Sequence, residues 1–175
     1  FNTHKSTLRI GQRLTDNISL ELNAYQNYSD NNYKVFTKYL DVHTGVFSKE
    51  PRWFTRFHDR YHNEALIGRL NIFNEKWADK LSFGLNYNQE YKQIQNANLM
   101  QIVFGGKYRT SHTYSSSMEY EKKNIIRGLS FALTGRYDLT TTRNADEEPR
   151  QYAWDGTYRT KATKGEVQHI LQTFE

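Results

Sequence analysis

The segment Leu81-Ser82-Phe83-Gly84-Leu85-Asn86-Tyr87-Asn88-Gln89-Glu90-Tyr91 alternates between two kinds of side chain. Its odd-numbered positions carry leucine, phenylalanine or tyrosine apart from one glutamine, and its even-numbered positions carry serine, glycine, asparagine and glutamate. Successive side chains of a β-strand point to opposite faces of the sheet. A period of two therefore predicts a strand over residues 81–91 with one apolar and one hydrophilic face.

The same alternation recurs along the chain. The segment before this strand places Leu66, Leu70 and Ile72 on one face, and the polar turn that follows it contains Asp79 and Lys80. Two alternating segments joined by a short polar turn predict a β-hairpin. The complete set of predicted strands covers residues 6–14, 18–28, 65–73, 81–91, 108–121 and 129–139.

The connections between these strands alternate in length. The short ones are 15–17, 75–80 and 122–128, and the long ones are 29–64, 92–107 and 140 onward. Outer-membrane β-barrels have short periplasmic turns and long extracellular loops, whereas nothing in a soluble β-sandwich requires every long loop to lie at the same end. The sequence predicts an all-β antiparallel up-and-down meander of about six strands, a segment of a transmembrane outer-membrane β-barrel.

In such a barrel the apolar face of each strand contacts lipid, and the hydrophilic face lines an aqueous or plugged lumen. A chain of this kind is expected to have low overall hydrophobicity, and apolar residues make up 37% of this one. The predicted lipid-facing residues are Leu20, Leu22, Leu70, Phe83, Leu85, Phe131 and Leu133.

Aromatic residues lie near both ends of the predicted strands. Outer-membrane barrels place aromatic girdles at the two membrane interfaces. The alternative is that these residues occur here only because tyrosine favours strands. The girdle candidates are Phe73 and Trp77 at the short-turn end, with Tyr28, Tyr87, Tyr91 and Tyr137 toward the long-loop end.

Length and composition set further bounds. The 175 residues fit a single domain, and no linker or composition shift marks an internal boundary. The net charge of +5 is spread along the chain, without a nucleic-acid-binding signature, so no nucleic-acid partner is predicted. The absence of cysteine excludes disulfides, thiolate metal sites and a cysteine nucleophile.

A membrane-spanning helix is also excluded by the sequence. The purely apolar runs are short, as at Ile102-Val103-Phe104, whereas a spanning helix needs about 20 apolar residues. The N-terminal region has no signal-peptide pattern, and the chain begins at Phe1 rather than at a methionine. We therefore expect a processed or partial chain.

One long connection interleaves aromatic rings with cations, in Arg-Trp-Phe-Thr-Arg-Phe-His-Asp-Arg-Tyr over residues 52–61. Aromatic faces beside arginine and aspartate suit the binding of a glycan or another polar ligand. The same residues suit packing of the loop against its neighbours, and base stacking is a third use of such rings. The candidate ligand-binding residues are Arg52, Trp53, Phe54, Arg56 and Tyr61.

A metal site is weakly indicated by His58, His62 and Glu64. The two imidazoles lie four residues apart, but the glutamate is not where a zinc-binding His-Glu-x-x-His motif requires it. Polar loop residues are the simpler interpretation. No phosphate-binding glycine loop, nucleophile elbow or catalytic triad occurs, so we predict no metal, no cofactor and no enzymatic activity.

Residues 163–175 allow two interpretations. Val167, Ile170, Leu171 and Phe174 have the spacing of one helical face, which predicts a short helix. The alternative is an extended segment that enters a seventh strand.

Three segments resemble the mid-barrel region of TonB-dependent outer-membrane receptors of the Bacteroides type. They are Asn74–Tyr87 (NEKWADKLSFGLNY), Met100–Gly105 (MQIVFG) and Gly128–Tyr137 (GLSFALTGRY). The resemblance covers most of the chain in the style of its hairpins and rests on no diagnostic motif. It implies the extended interpretation of residues 163–175, where such receptors have a loop that descends to the next strand.

The resemblance also implies parts that this sequence does not show. Receptors of this family carry an energy-coupling box, a globular plug and a barrel of about twenty-two strands. Six strands are too few, because the smallest barrels have about eight. We therefore expect residues 1–175 to be a partial barrel domain of a larger receptor. Its expected partners are outer-membrane lipid, the remaining strands and the plug, the periplasmic energy-coupling protein and a surface lipoprotein lid.

The predicted function follows from this resemblance. It is the wall and extracellular loops of an outer-membrane receptor that imports a nutrient such as a glycan, peptide or siderophore. The alternatives are a structural or adhesive outer-membrane barrel and a soluble β-rich glycan-binding module.

Overall fold

The computed structural model describes residues 2–96, 100 and 102–174. Phe1, residues 97–99 and 101 of the predicted loop 92–107, and Glu175 lie outside the described residues. The described chain is all-β, and every strand pair in it is antiparallel. Within the same residues, no helix is long and apolar enough to cross a membrane.

Seven long strands form the main sheet, and their order in the sheet follows their order in the chain. This arrangement confirms the predicted antiparallel meander and all six predicted strands. The strands are β1 (Thr3–Arg13), β2 (Ile18–Ser29), β5 (Tyr61–Glu75), β6 (Ala78–Gln93), β8 (Tyr108–Ile126), β9 (Leu129–Ala145) and β12 (Val167–Phe174).

The prediction of six strands is one strand short. Strand β12 pairs with β9 from Val167 opposite Ala145 to Phe174 opposite Asp138. The extended interpretation of this segment is confirmed for its described residues, and the helical one is wrong. Pairing with the free edge of β9 satisfies the backbone of the segment, so tertiary hydrogen bonding overrides the local helical spacing.

The long connections contain short strands of their own, which the sequence analysis treated as loop. One small sheet pairs β3 with β4, and another has the order β11-β10-β7. These strands are β3 (Lys34–Thr37), β4 (Arg52–Thr55), β7 (Val103–Phe104), β10 (Arg150–Tyr152) and β11 (Tyr158–Thr160). The two small sheets lie at the end of the main sheet where the long connections emerge.

Two of the short turns at the opposite end contain or adjoin a residue with a left-handed backbone. Asn74 has a φ of 55° next to the β5–β6 turn, and Gly128 has a φ of 84° in the β8–β9 turn. Asparagine and glycine are the residues that most readily adopt this left-handed conformation. The ladder between β8 and β9 is irregular between Lys122 and Ile126.

The register places apolar side chains in rows that run across one face of the main sheet. We call this face the apolar face, and it carries all seven residues predicted to face lipid. Four consecutive rows contain no Asp, Glu, Lys, Arg or His, and we call them the apolar band. The rows are Ile18-Ile72-Leu81-Tyr120-Leu133, Gln12-Leu20-Leu70-Phe83-Met118-Gly135, Ile10-Leu22-Gly68-Leu85-Ser116-Tyr137 and Leu8-Ala24-Leu66-Tyr87-Tyr114-Leu139-Thr173.

The opposite face of the main sheet is hydrophilic, and we call it the polar face. Its buried side chains bond across strands: Ser82 donates to Asn71 Oδ1 at 2.8 Å, and Asn71 donates to Glu21 Oε1 at 3.2 Å. Phe73 follows Ile72 of the apolar band and lies on the polar face, because successive strand residues alternate. The girdle prediction for Phe73 is therefore wrong.

Apolar burial is concentrated outside the main sheet. In the described chain, Val42, Val103, Ala153 and Trp154 of the long connections are all at most 2% exposed. The large apolar side chains of the main sheet are instead exposed or half-buried; among the exposed ones, Leu85 is at 67% and Phe83 at 44%. The sheet therefore presents its apolar face without a covering layer from the described residues.

Candidate functional site

The five predicted ligand-binding residues do not form one surface. Strand β4 contains Arg52, Trp53 and Phe54, and its alternation separates the last two, so Trp53 is 67% exposed whereas Phe54 packs inward. Arg56 is buried beneath the loops. Tyr61 is not a loop residue, because β5 begins there.

Phe54 packs into a small apolar cluster where the long connections meet. Its ring centroid lies 5.4 Å from that of Tyr39 and 6.0 Å from that of Trp154. Trp154 is 2% exposed, and its indole N–H donates to the carbonyl of Met100. We call Phe54, Val103, Ala153 and Trp154 the loop core. Phe54 therefore packs the loop against its neighbours, which is one of the alternatives that the sequence allows for this segment.

Arg56 holds three segments together beside the loop core. Its Nη2 lies 2.9 Å from Asp59 Oδ2, its Nε donates to Gln95 Oε1 at 2.8 Å, and its Nη1 donates to the Tyr33 hydroxyl at 2.7 Å. Both charged side chains of the ion pair are largely buried, at 14% and 12% exposed. Burial raises the pKa of Asp59 above its ordinary value, and the attraction of Arg56 and Lys92 only partly offsets this effect.

The outward side of the β3–β4 ribbon carries an exposed aromatic pair. Phe36 and Trp53 are directly opposite each other, with ring centroids 5.2 Å apart, and are 57% and 67% exposed. Arg52 is also exposed, but it lies on the other side of the ribbon with Phe54, and its guanidinium is 5.9 Å from the Tyr39 ring centroid. Of the predicted set, Arg52 and Trp53 are thus available to a ligand, together with Phe36, which the sequence analysis did not single out.

The weakly indicated metal ligands have other contacts. His58, at a φ of 54°, lies 3.4 Å from the Phe104 carbonyl through Nδ1 and packs edge-on against Tyr152. His62 lies in β5, where its Nε2 is 3.0 Å from Glu64 Oε1. Among the residues that the structure describes, no group of three or more His, Cys, Asp or Glu side chains is arranged to hold a metal ion.

A second candidate site is a concave region of about 730 Å³ on the polar face. Asn86, Ser115 and Asp138 are paired neighbours in one row of its wall. Each has a buried side-chain oxygen without a hydrogen-bond partner in the described chain. The wall also includes Tyr25, Tyr61, Asn63, Asn88, Glu90, Thr113, Arg136, Thr140 and Gln172.

This concave region was not identified from the sequence as a site. Its residues are the hydrophilic positions of the alternating strands, so the pattern predicted their common face. Their convergence depends on the curvature and register of six strands, which no local signal encodes. Its amide, hydroxyl and carboxylate groups suit the binding of polar groups that donate hydrogen bonds.

Comparison with known proteins found no relative of this chain. No protein-family model, curated protein or solved structure matches the chain.

The ion pair beside the loop core yields a first prediction. Asp59→Ala leaves Arg56 Nη2 without its acceptor, so the free energy for opening the loop core should fall by about 2 kcal/mol. Asp59→Asn keeps an acceptor oxygen and removes a buried negative charge, so it should cost less than about 1 kcal/mol. Hydrogen exchange at the amides of Phe104 and Ala153 measures the opening. Equal loss of protection in both variants would contradict the role of the hydrogen bond.

The raised pKa of Asp59 gives the loop core a pH dependence of known sign. A carboxyl group with a raised folded-state pKa contributes stability that is present below its ordinary pKa and is lost as the pH rises through the raised value. The pKa of Glu148 is lowered by its hydrogen bond to Arg150, which acts in the opposite direction. We therefore compare wild type with Asp59→Asn: the wild-type loop core should gain protection relative to the variant between pH 7 and pH 4. A constant difference would contradict the burial of an ionised Asp59.

Proposed function

We propose that this chain forms part of the wall and the outer loops of an outer-membrane β-barrel receptor of the TonB-dependent type, which imports a nutrient. The apolar band is the observation that carries the proposal. It is a continuous, uncharged surface across the main sheet, and the described chain supplies nothing to cover it. Contiguous exposed apolar surfaces of this kind are typical of membrane contacts.

The dimensions of the apolar band agree with a bilayer. Its first and last rows lie six residues apart along β2, about 20 Å. The rows that contain charged side chains on either side of it lie ten residues apart along β6, about 34 Å, which at a tilt of about 40° is about 26 Å, close to the apolar belt of about 25 Å in outer-membrane barrels. Charged groups bound it on both sides. Asp79 and Lys122 form an ion pair of 3.5 Å at the short-turn end, and Glu64 and Arg143 lie beyond it toward the long connections.

Aromatic residues at the margins of the band support the same placement. Tyr87 and Tyr114 are adjacent on the long-loop side, with ring centroids 5.0 Å apart. Trp77 is 51% exposed in a short turn, and its carbonyl accepts a hydrogen bond from Tyr120. Amphipathic rings of this kind favour the boundary between hydrocarbon and water.

The edges of the sheet support the proposed partners. β1 and β12 lie at the two ends of the strand order. Unpaired strand edges cannot remain in contact with hydrocarbon, because their N–H and C=O groups would have no hydrogen-bond partners. In the proposed receptor, further strands pair with these edges to close the barrel, and a plug occupies the lumen against the polar face. The energy-coupling protein and a surface lipoprotein lid complete the proposed assembly.

The loops provide the surface proposed to meet the nutrient. Phe36 and Trp53 expose their rings on the β3–β4 ribbon, while Phe54 fixes that ribbon to the loop core. Rigidly held aromatic rings offer contact area at low entropic cost. The concave region on the polar face, with its unpartnered oxygens, supports passage of a hydrogen-bonding nutrient along this face.

The orientation of the chain gives a direct test of this proposal. Residues 1–175 contain no cysteine, so a thiol introduced here is the only one in this segment, and any cysteine elsewhere in the full-length protein is first replaced by serine. Lys49 lies in a long connection and Lys76 in a short turn, and both are exposed. In intact source cells, a membrane-impermeant maleimide should label Lys49→Cys of the full-length protein but not Lys76→Cys, and permeabilised cells should show both labelled. Labelling of neither residue until the inner membrane is opened, or of a water-soluble protein at both, would refute the proposal.

A charge placed on either face of one strand gives a further prediction. Leu22→Arg, near the middle of the apolar band, should destabilise the protein folded in phospholipid vesicles, with a free energy of unfolding lower by about 2–4 kcal/mol. Leu133→Arg, at the margin of the band, should cost less, because the penalty falls toward the interface. Thr134→Arg is the matched control on the polar face and should change this free energy by less than about 1 kcal/mol. Equal losses at Leu133 and Thr134 would contradict the assignment of the faces.

A further inference from the structure

The apolar face changes its chemistry just beyond the long-loop side of the apolar band. The fifth row reads Ser6-Gln26-Glu64-Gln89-His112-Thr141-Leu171. The sixth row, which we call the donor row, reads His4-Tyr28-His62-Tyr91-Thr110-Arg143-His169. It crosses all seven strands, a width of about 29 Å at the usual strand spacing.

Every side chain in the donor row can donate a hydrogen bond, and none is a carboxylate or an amide. Three of the six histidines of the chain lie in this one row. Two members already have acidic neighbours: His62 lies 3.0 Å from Glu64 Oε1, and Arg143 lies 3.6 Å from Glu147 Oε2. Within the described chain, the other five make no side-chain hydrogen bond; they are His4, Tyr28, Tyr91, Thr110 and His169.

Their rings nevertheless have fixed positions. The Tyr28 ring centroid lies 6.2 Å from the ring centroids of both His4 and His62. Tyr91 lies 5.7 Å from Tyr108, and the Arg143 guanidinium is also 5.7 Å from the Tyr108 ring centroid. Three of the five unused donors, those of His4, Tyr28 and Tyr91, are therefore carried by rings that pack against neighbouring rings, which reduces the entropic cost of binding an acceptor.

An aromatic girdle explains only part of this pattern. Interfacial girdles require amphipathic rings such as those of Tyr28 and Tyr91. They do not require the imidazoles, the hydroxyl of Thr110 or the guanidinium of Arg143 in the same row. The short-turn side of the band has no equivalent among the described residues, because there the flanking pair is Asp79 with Lys122.

We propose that the donor row binds the phosphate head groups of membrane lipids on the long-loop side of the bilayer. Phosphate oxygens accept hydrogen bonds, which complements a row in which every side chain can donate and none is a carboxylate or an amide. A lipid whose acyl chains lie on the apolar band brings its phosphate to the level of this row. The inference rests on the membrane placement proposed above and names the lipid chemistry of that surface.

The test uses the full-length protein in dodecyl maltoside and native mass spectrometry. Dioleoyl phosphatidic acid is titrated against dioleoylglycerol, which has the same acyl chains and no phosphate. The combined variant Tyr28→Phe, Tyr91→Phe and Thr110→Val removes three hydroxyl donors and keeps the side-chain shapes. Tyr114→Phe with Tyr137→Phe is the matched control inside the apolar band. We expect phosphatidic acid to bind tighter than dioleoylglycerol, and the triple variant to weaken its binding about fivefold or more while the control changes it by less than about twofold.

Three results would overturn the inference: equal affinity for the two lipids, wild-type affinity in the triple variant, or displacement of the lipid by inorganic phosphate at a similar concentration. The last would identify a site for free phosphate. If the triple variant does not fold, the measurement is repeated with the double variant His4→Phe and His169→Phe, whose two positions lie in β1 and β12. The thiol labelling described above tests membrane placement separately. A protein that is labelled as expected but shows no phosphate preference would refute only the donor row.

Discussion

The hydrogen-bond register of the main sheet is the constraint on which the rest of the molecule depends. Because strand side chains have a period of two, a slip of one residue between β5 and β6 would move Leu70 and Phe83 to opposite faces. The observed register brings Leu20, Leu70 and Phe83 into one row and places Asn71 against Ser82 on the other side. The apolar band, the donor row and the concave region on the polar face are all consequences of this one alignment.

The main sheet obtains little stability from a core of its own. Its largest apolar side chains are exposed, and its buried residues within the described chain are small or polar, such as Ala65, Asn71 and Ser82. A sheet of this composition is stabilised by its backbone ladder and cross-strand pairs, and then by whatever covers its apolar face. Hydrocarbon covers such a face without demanding specific packing, which is why exposed Leu85 is compatible with a stable fold in a bilayer. In water the same face would favour association.

The sequence predicted the long strands and their faces well because both are written in a local, repeated pattern. It failed where nonlocal contacts decide. The helical spacing of Val167 and Ile170 was overridden by the edge of β9, to which they pair. Tyr61 was assigned to a loop because the polar residues that follow it hide the strand, yet the edge of β2 pairs with that segment from Tyr61 onward.

The candidate site was less predictable for a related reason. Trp53 and Phe54 are adjacent and equally aromatic, and only the observed β4 strand assigns one to solvent and the other to the loop core. One ring partner of Phe54 is Trp154, a hundred residues away, so no spacing rule could have joined them.

The loop core and the apolar band have different physical roles. The loop core lies at one end of the long strands, and the apolar band extends along them. At one end, Trp154, Val103 and the Arg56–Asp59 pair hold long polar connections in a fixed shape, at the cost of burying a charge. Along the strands, the described chain leaves large apolar side chains exposed. The arrangement agrees with the proposed barrel wall, in which lipid contacts the apolar face and the structured loops stand in water. The loops of such a wall need a core to keep their shape in water, whereas the lipid-facing side chains need only to be apolar.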